Sequence, residues 1–275
     1  MILDCAGKPL DLSQPRVMGI LNVTPDSFSD GGRFLGRERA IAQAQRMVEE
    51  GAAIIDIGGE STRPGSGGVS LEEELRRVVP VVEALSPHLP VPISVDTSKP
   101  EVMQAAVEAG AGMINDVYAL RQQGALQMAA SLQVPVCHMH MLGEPRTMQQ
   151  APQYDDVLKE VAEFLRQQVL RCTAAGIERE RLLLDPGFGF GKSLQHNLTL
   201  LKHLPELLGE GLPLLVGMSR KSMIGAVLDE TVEHRLYGSV AAATLAAWMG
   251  AKVIRVHDVK ATVDAVKMVA AVMDS

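Results

Sequence analysis

Short apolar runs alternate with longer amphipathic stretches along the whole chain. The runs are rich in Val, Ile and Leu, as is typical of strands buried in a parallel sheet. Eight of them predict strands, at residues 17–21, 54–57, 93–95, 113–114, 134–137, 182–184, 214–217 and 252–256. The stretches between them predict helices, at residues 37–50, 71–85, 100–109, 125–132, 154–175, 195–208, 233–250 and 262–273.

The ends of the predicted helices repeat a simple pattern. Gly51, Gly110, Gly176 and Gly250 stand where helices stop, and glycine is the residue that most readily ends a helix. Three of these glycines are followed by Ala and then by the next strand, which indicates a repeated helix-to-strand unit. Eight strand–helix units in 275 residues predict an α/β fold, a closed TIM (β/α)8 barrel.

The main alternative to a barrel is an open, doubly wound sheet. Such sheets usually have fewer strands and a glycine-rich turn after the first strand. The sequence has no linker, charge block or low-complexity segment that would divide it. We therefore expect residues 1–275 to form one barrel domain.

Composition narrows the classes of function. Hydrophobic residues make up 47% of the chain but aromatic residues only 3%, so the core must be aliphatic. A net charge of −7 argues against nucleic-acid or anionic-membrane partners. The 3 cysteines are widely spaced and suggest neither a disulfide framework nor a zinc site. With no signal-peptide pattern and no apolar run of spanning length, we expect a cytoplasmic protein.

Polar residues follow every predicted strand. In a TIM barrel the carboxyl ends of the strands meet at one face, where the active site is built. The residues at these exits are Asn22, residues 58–64, residues 96–98, Asn115 and Asp116, residues 138–141, residues 185–192, residues 219–222, and residues 255–258. The first exit continues into a polar loop, residues 22–32, which carries a lone aromatic, Phe28. We expect one shared site at this face.

Two local patterns are misleading. Residues 187–193 suggest a phosphate loop, but Pro186 stands where the Walker pattern needs glycine. His138 and His140 could share one strand face and hold a metal ion. No third ligand has a recognisable spacing, so a buried or supporting role for one histidine is the stronger interpretation.

The side chains at the strand exits fall into two chemical groups. Asp96, Asn115 and Asp185 offer acceptors and an amide that suit a flat heterocycle with N–H and amino edges. The second group is cationic and suits phosphate; its members are Arg63, Arg220, Lys221, Arg255 and His257. Residues 219–222 also begin a short helical segment whose amides would favour an anion. The sequence thus predicts an acidic floor and a separate cationic rim.

Long motifs at these positions resemble the dihydropteroate synthase family. They are MGILNVTPDSFSDGG, IIDIGGESTRPG, SVDTSKPEV, INDV, MHM, LLLDPGFGFGK, LLVGMSRKSMIG and VIRVHDV. The resemblance covers essentially the entire chain, in order, and is nearest to the bacterial folate-pathway form. It implies a pterin-binding TIM barrel that condenses 7,8-dihydropterin-6-ylmethyl diphosphate with 4-aminobenzoate and releases pyrophosphate. It also implies Mg²⁺, a homodimer, and competition by sulfonamides.

The resemblance assigns roles residue by residue. The implied catalytic residues are Asp96, Lys221 and Arg255. The implied pterin contacts are Asp96, Asn115, Met139, Asp185, Lys221 and Arg255. The implied diphosphate contacts are Asn22, Thr62, Arg63, Arg255 and His257, with Asn22 also at the metal. The implied aminobenzoate and sulfonamide contacts are Phe28, Ser61, Thr62, Arg63, Pro64, Phe190, Lys221 and Ser222. Tyr118 and His138 are departures that could adjust the pocket wall.

The implied reaction suits an SN1-like substitution. Loss of pyrophosphate would leave a cationic methylene conjugated with the pterin, which Asp96 could stabilise. Residues 24–32 would then form a lid that places Phe28 against the aminobenzoate ring. Two alternatives stay open: a pterin-binding module of a corrinoid methyltransferase, and a non-catalytic pterin-binding protein. The methyltransferase module would not need the anion-binding groups at the seventh and eighth strand exits.

Overall fold

A computed structural model describes residues 1–23, 32–61, 68–144 and 147–275, without the side chains of 32–35 and 210. Its strands are β1 Ile2–Cys5, β2 Lys8–Asp11, β3 Arg16–Asn22, β4 Ile54–Gly58, β5 Ile93–Asp96, β6 Met113–Asp116, β7 Val136–Met139, β8 Leu182–Asp185, β9 Leu215–Val216 and β10 Val253–Val256. Its α-helices are α1 Gly32–Glu49, α2 Leu71–Leu85, α3 Pro100–Glu108, α4 Ala125–Leu132, α5 Val157–Ala174, α6 Leu194–Lys202, α7 Ser222–Leu228, α8 Leu236–Trp248 and α9 Val259–Met273.

Strands β3 to β10 form the predicted TIM barrel. They lie parallel in one sheet, in the order β8-β7-β6-β5-β4-β3-β10-β9. A parallel bridge between Leu184 and Leu214 joins β8 to the segment entering β9, so the sheet closes on itself. Within the described residues, no helix is long and apolar enough to cross a membrane.

The predicted boundaries differ from the observed ones for two physical reasons. Strands β5, β6 and β8 each extend to a polar residue, because pairing continues past the last apolar side chain. The predicted helix at 195–208 is wrong in its second half: α6 ends at Lys202, and a 3-10 helix follows over Leu204–Glu210. Pro205 lacks the N–H that a continuing α-helix would use.

The β1–β2 hairpin was not predicted from the sequence. Its strands pair antiparallel, from Ile2 opposite Asp11 to Cys5 opposite Lys8. The hairpin covers the N-terminal end of the barrel so closely that a Cβ at Gly112 would lie 2.3 Å from the Cys5 carbonyl oxygen. Its apolar side chains join one from each of seven barrel strands: Met18, Ile54, Met113, Cys137, Leu183, Leu215 and Val253. We call these seven residues the lower layer of the barrel interior.

The opposite face of each strand packs against the helices. Alternate strand residues such as Ile55, Ile57 and Val95 belong to the large aliphatic core outside the barrel. Helix α2 is a representative partner: the Ser70 side chain accepts a hydrogen bond from the backbone N–H of Glu73 and caps its first turn. Sheet and helices thus hold the strand ends in a fixed ring around the barrel mouth.

Candidate active site

The barrel interior changes from apolar to mostly polar within two residues on most strands. Side chains two apart on a strand share a face, so each residue two positions beyond the lower layer also points inward. On β3 this position is still apolar, Ile20; the others carry Asp56, Asn115, Met139, Asp185, Gly217 and Arg255, and Asp96 follows Ser94 on β5 in the same way. We call these seven residues the upper layer. It lies at the carboxyl ends of the strands, where the sequence predicted a site.

Arg255 is the centre of the upper layer. Its Nε donates to Asp56 Oδ2 and its Nη2 to Asp96 Oδ2, both at 2.6 Å. The Asn115 side-chain amide donates to the same Asp56 oxygen at 3.2 Å. The Asp56 carboxylate therefore joins two of the residues predicted to contact the pterin, Asn115 and Arg255, and Arg255 in turn joins a third, Asp96.

Asp56 was not predicted as a site residue. The predicted residues follow an apolar run or, like Arg255, stand next to the end of one, whereas Asp56 stands inside the run Ile54-Ile55-Asp56-Ile57. The period of two could have found it, because its neighbours Ile55 and Ile57 face the helices. Asp56 is fully buried, and its Oδ1 has no hydrogen-bond partner in the described part of the chain.

The single positive charge of Arg255 faces two carboxylates, Asp56 and Asp96, so this cluster has more negative than positive groups. Burial raises the pKa of Asp96 to about 7, although the Arg255 charge opposes this, and Asp56 and Asp116 raise the pKa further. Burial disfavours the charged form of Arg255, but the charges of Asp56 and Asp96 still raise its pKa above the ordinary value. The arginine stays charged, so a proton taken up near neutral pH would go to a carboxylate.

Asp185 has two roles in the structure. Its Oδ1 accepts a hydrogen bond from the backbone N–H of Gly187 at 2.7 Å and so opens a turn before the glycine-rich loop. It is also buried in the upper layer, and burial raises its pKa while the Lys221 charge lowers it. Its register partner on β7 is Met139, which packs with Phe190 in a small apolar cluster.

Residues 186–191 form the glycine-rich loop, which holds Lys221. The Lys221 ammonium donates to the Phe188 carbonyl oxygen and lies 4.4 Å from the centroid of the Phe190 ring. Burial lowers the pKa of Lys221 to about 8. Gly187 has a φ of +69°, and a Cβ there would lie 1.8 Å from the His140 carbonyl oxygen. The glycine is required by close backbone packing.

Of the predicted cationic rim, Arg63 lies outside the described residues, and the other four residues do not form a separate group, which corrects the prediction from the sequence. Arg255 belongs to the acidic floor. The Arg220 guanidinium is engaged by Asp258, with Nε–Oδ2 and Nη2–Oδ1 distances of 2.9 and 2.5 Å. His257 lies beside Ser219, whose Oγ is 3.0 Å from His257 Nδ1. The short helix predicted after these residues is confirmed as α7.

A further hydrogen-bond network lies at the start of the loop that follows β4. Lys99 Nζ is 2.5 Å from a Glu60 carboxylate oxygen and also bonds to the buried Glu74. The Thr97 hydroxyl donates to Glu74 at 2.6 Å. These contacts fix the start of the loop that follows β4, and none was predicted from the sequence.

The remaining predicted site residues are placed as follows. Asn22 is exposed at the end of β3, opposite Gly58, and Ser61 is half-buried after β4. Ser222 is exposed at the start of α7. Phe28, Thr62, Arg63 and Pro64, together with residues 24–31 of the predicted lid at 24–32, lie outside the described residues, and Gly32 is the first residue of α1. The binding roles of all these residues stay predictions.

His138 and His140 do share one face, but it is the face toward the helices. His140 stacks edge-on against Phe164 of α5, with ring centroids 4.9 Å apart. Both ring nitrogens of the fully buried His138 lack a hydrogen-bond partner among the described residues. Across those residues, no group of three or more His, Cys, Asp or Glu side chains is arranged to hold a metal ion.

The fold and the upper layer define a class: a TIM barrel whose mouth presents carboxylates, an amide and an arginine to a small polar heterocycle. A family model described as pterin binding enzyme matches residues 18–257, which include every member of the upper layer.

Relatives define the family more narrowly. The dihydropteroate synthase of Escherichia coli (strain K12) is 57% identical over 275 residues, covering 100% of this chain and 98% of the relative. The crystal structure of the Yersinia pestis dihydropteroate synthase with a sulfonamide drug complex is 56% identical, with a TM-score of 0.96 and 100% of both chains covered. The Xanthomonas albilineans dihydropteroate synthase with 4-aminobenzoic acid is 57% identical, with a TM-score of 0.94, covering 100% of this chain and 98% of that one. The chain belongs to the dihydropteroate synthase family, whose members are transferases.

Proposed function

We propose that the chain condenses 7,8-dihydropterin-6-ylmethyl diphosphate with 4-aminobenzoate, giving 7,8-dihydropteroate and pyrophosphate. The observation that carries this proposal is the Arg255 cluster at the barrel mouth, in which one guanidinium bridges Asp56 and Asp96 beside Asn115. A pterin offers a row of N–H and amino donors, and the cluster offers carboxylate and amide acceptors with a planar cation beside them.

Each upper-layer residue has a distinct part in pterin binding. Asp96 and Asp185 accept from the pterin N–H and amino groups, and Asn115 supplies both a donor and an acceptor. Such donors favour the charged form of a carboxylate and so counter the burial that raises the pKa of Asp96 and Asp185. Arg255 lies over the ring plane, Met139 lines its apolar edge, and Lys221 reaches it from the side of the glycine-rich loop.

The bond to the diphosphate breaks before the new C–N bond forms. The methylene carbon becomes cationic, and Asp96 stabilises the charge through the conjugated ring. The leaving diphosphate is bound by Asn22, Thr62, Arg63, Arg255 and His257. The arylamine then attacks and loses a proton, which requires no strong base because the protonated product is acidic.

Magnesium fits the diphosphate end of this site. Mg²⁺ prefers oxygen ligands and usually keeps waters and substrate phosphates in its shell, so it needs few protein ligands. Asn22 offers a side-chain carbonyl oxygen at the exposed end of β3. When bound, the ion would neutralise charge on the departing pyrophosphate.

The aminobenzoate lies on the glycine-rich-loop side of the mouth. Phe190 supplies an apolar wall, and Lys221 and Ser222 lie where a carboxylate or sulfonamide group would be bound. Ser61, Phe28, Thr62, Arg63 and Pro64 complete this part of the site.

Helix α8 exposes Tyr237, Leu245 and Trp248, with exposures of 84%, 47% and 55%, which supports a homodimer formed through this helix.

The direct test is product formation. Purified protein is incubated with the pterin diphosphate, Mg²⁺ and labelled 4-aminobenzoate, and both products are quantified. We expect dihydropteroate and pyrophosphate in equal amounts, and an Asp96→Asn variant at least about 100-fold slower. If the protein binds the pterin but forms neither product, the methyltransferase module or the non-catalytic binding protein is the better assignment.

The order of bond breaking is tested separately. Deuterium at the pterin methylene should give a normal secondary isotope effect on kcat/KM, because the carbon becomes trigonal and cationic before attack. Slow pyrophosphate release without aminobenzoate would agree with this. An isotope effect near unity, with no release without the amine, would indicate a concerted displacement.

A further inference from the structure

Lys192 is almost fully buried behind the glycine-rich loop, with an exposure of 3%. The three nearest acceptors of its Nζ are His140 Nδ1 at 2.8 Å, the Gly187 carbonyl oxygen at 2.9 Å and the Phe190 carbonyl oxygen at 3.1 Å; the His140 carbonyl oxygen is farther away, at 3.5 Å. An ammonium group has three N–H donors, so its hydrogen-bonding capacity is fully used. Lys192 therefore ties both ends of the loop to the residue that follows β7.

Burial and the neighbouring charges act on Lys192 in opposite directions. Burial lowers its pKa to about 7, while the Asp185 charge opposes the shift and the Lys221 charge adds to it. Burial and the positive charges of Lys192 and Arg121 lower the pKa of His140 to about 2, so the imidazole is neutral and can accept through Nδ1. The protonated lysine makes all three bonds, and a neutral amine would have to give up at least one.

The front of the same loop holds Lys221. The Phe188 carbonyl accepts from the Lys221 ammonium, and the Phe190 ring lies beneath it. Two further side chains hold the back of the loop: the Tyr154 hydroxyl donates to the Gly191 carbonyl at 2.8 Å, and Asn197 accepts from the Gly189 N–H at 2.7 Å. Lys192 differs from these two because it carries charge and binds two loop carbonyls at once.

We infer that Lys192 is a positioning residue: by fixing the glycine-rich loop from behind, it places the Phe188 carbonyl and the Phe190 ring, and through them it directs Lys221 and sets the affinity for the arylamine substrate. The inference rests on the proposed function of the same site. Lys192 itself does not contact a substrate, because its ammonium is enclosed by His140 and the loop. Its effect falls mainly on the aminobenzoate side. Lys221 is the one proposed pterin contact whose ammonium the loop holds, whereas Asp96, Asn115 and Arg255 are held by one another and by Asp56.

The test compares two Lys→Met variants. Lys192→Met keeps most of the side-chain volume and removes the three donors. Lys202→Met makes the same change at an exposed position on α6 and is the matched control. For Lys192→Met we expect the KM for aminobenzoate to rise about 5- to 20-fold while the dissociation constant of the pterin diphosphate stays within about twofold. Lys202→Met should change neither.

A second variant keeps the test informative if Lys192→Met folds poorly. Tyr154→Phe removes only one bond to the loop and should raise the aminobenzoate KM by about 2- to 3-fold. Imidazole ¹⁵N shifts should show His140 Nδ1 as an acceptor in the wild type and a changed shift in Lys192→Met.

The outcomes separate the inference from the proposed function. If wild type forms no dihydropteroate, the proposed function is wrong whatever the His140 shifts show. If wild type is active but Lys192→Met and Tyr154→Phe lower activity only in proportion to the folded fraction, with KM unchanged, Lys192 only stabilises the fold and the inference is overturned. An equal rise of the pterin diphosphate dissociation constant and of the aminobenzoate KM in Lys192→Met would also overturn the inference.

Discussion

The lower and upper layers of the barrel interior share six of their seven strand positions, two residues apart, yet most of these pairs have opposite chemistry. Leu183 and Asp185 lie on one face of β8, and Val253 and Arg255 on one face of β10. The lower layer meets the β1–β2 hairpin and is sealed from water. The upper layer lies at the barrel mouth. The hairpin closes one end, so only the other end can receive a ligand.

The two layers should also differ in what they do for the folded state. The lower layer gains free energy by removing aliphatic surface from water. The upper layer buries Asp56, Asp96 and Asp185 with few cations, and each carboxylate loses hydration. Such a cluster adds little to the free energy of unfolding. It is therefore better explained by the ligand that it is arranged to bind.

The largest effect should come from removing the cation of the upper layer. In Arg255→Met, Asp56 and Asp96 stay buried without their partner, and the pterin loses the planar cation beside it. We expect kcat/KM to fall at least about 1,000-fold and the free energy of unfolding to fall by about 3–5 kcal/mol. Steady-state kinetics and urea unfolding measure the two losses.

Two variants control this experiment. Arg39→Met makes the same change at an exposed position on α1 and should alter neither quantity measurably. The double variant Asp56→Asn/Arg255→Met should recover part of the stability but none of the activity. Full activity in Arg255→Met would remove the guanidinium from the proposed site altogether.

A smaller effect on activity, with little effect on stability, is expected for Asp185→Asn. The asparagine Oδ1 can still accept from the Gly187 N–H, so the turn into the glycine-rich loop persists. The charge that faces Lys221 is lost, and we expect the KM for the pterin diphosphate to rise about 10- to 100-fold. The free energy of unfolding should change by less than about 1 kcal/mol. A stability loss without a change in KM would mean that Asp185 serves the turn alone.

Leu183→Ala tests the other layer on the same strand. Leu183 is fully buried in the lower layer, and truncation should cost about 3 kcal/mol by lost burial and a cavity. At a temperature where both proteins are folded, kcat/KM should stay within about twofold of wild type. A tenfold loss of activity in the fully folded variant would show that the lower layer also affects ligand binding or catalysis, so that the two layers do not have separate roles.

The sequence predicted the barrel well because strand length and helix periodicity repeat eight times. It also predicted most of the upper layer, since TIM barrels place their sites at strand ends. Asp56 was missed because a polar residue inside an apolar run was not tested for its face. The hairpin was missed because short, partly polar strands such as Lys8–Asp11 have no distinctive pattern.

Other features could not be predicted from local pattern at all. The contact of Lys192 with His140 joins residues 52 apart in sequence, and that of Arg255 with Asp56 joins residues 199 apart. The separate cationic rim was predicted from charge alone, but partner choice depends on which carboxylates the fold brings near. Arg220 meets Asp258 and Arg255 meets the acidic floor because of strand order, not because of their immediate neighbours.

The smallest effect should come from the one polar position beneath the upper layer on β5. Ser94 lies two residues before Asp96, is fully buried, and its Oγ has no hydrogen-bond partner within the described ranges. A buried hydroxyl without a partner does not stabilise the fold, so Ser94→Ala should shift the free energy of unfolding by no more than about 1 kcal/mol, toward greater stability. Paired urea titrations would measure the shift, and kcat/KM should be unchanged. Destabilisation by more than about 1 kcal/mol would mean that the hydroxyl is bonded in solution. Asp56 is its register partner, and Asp56 Oδ1 also lacks a hydrogen-bond partner among the described residues, so the polar part of the interior would then extend one position deeper on β5.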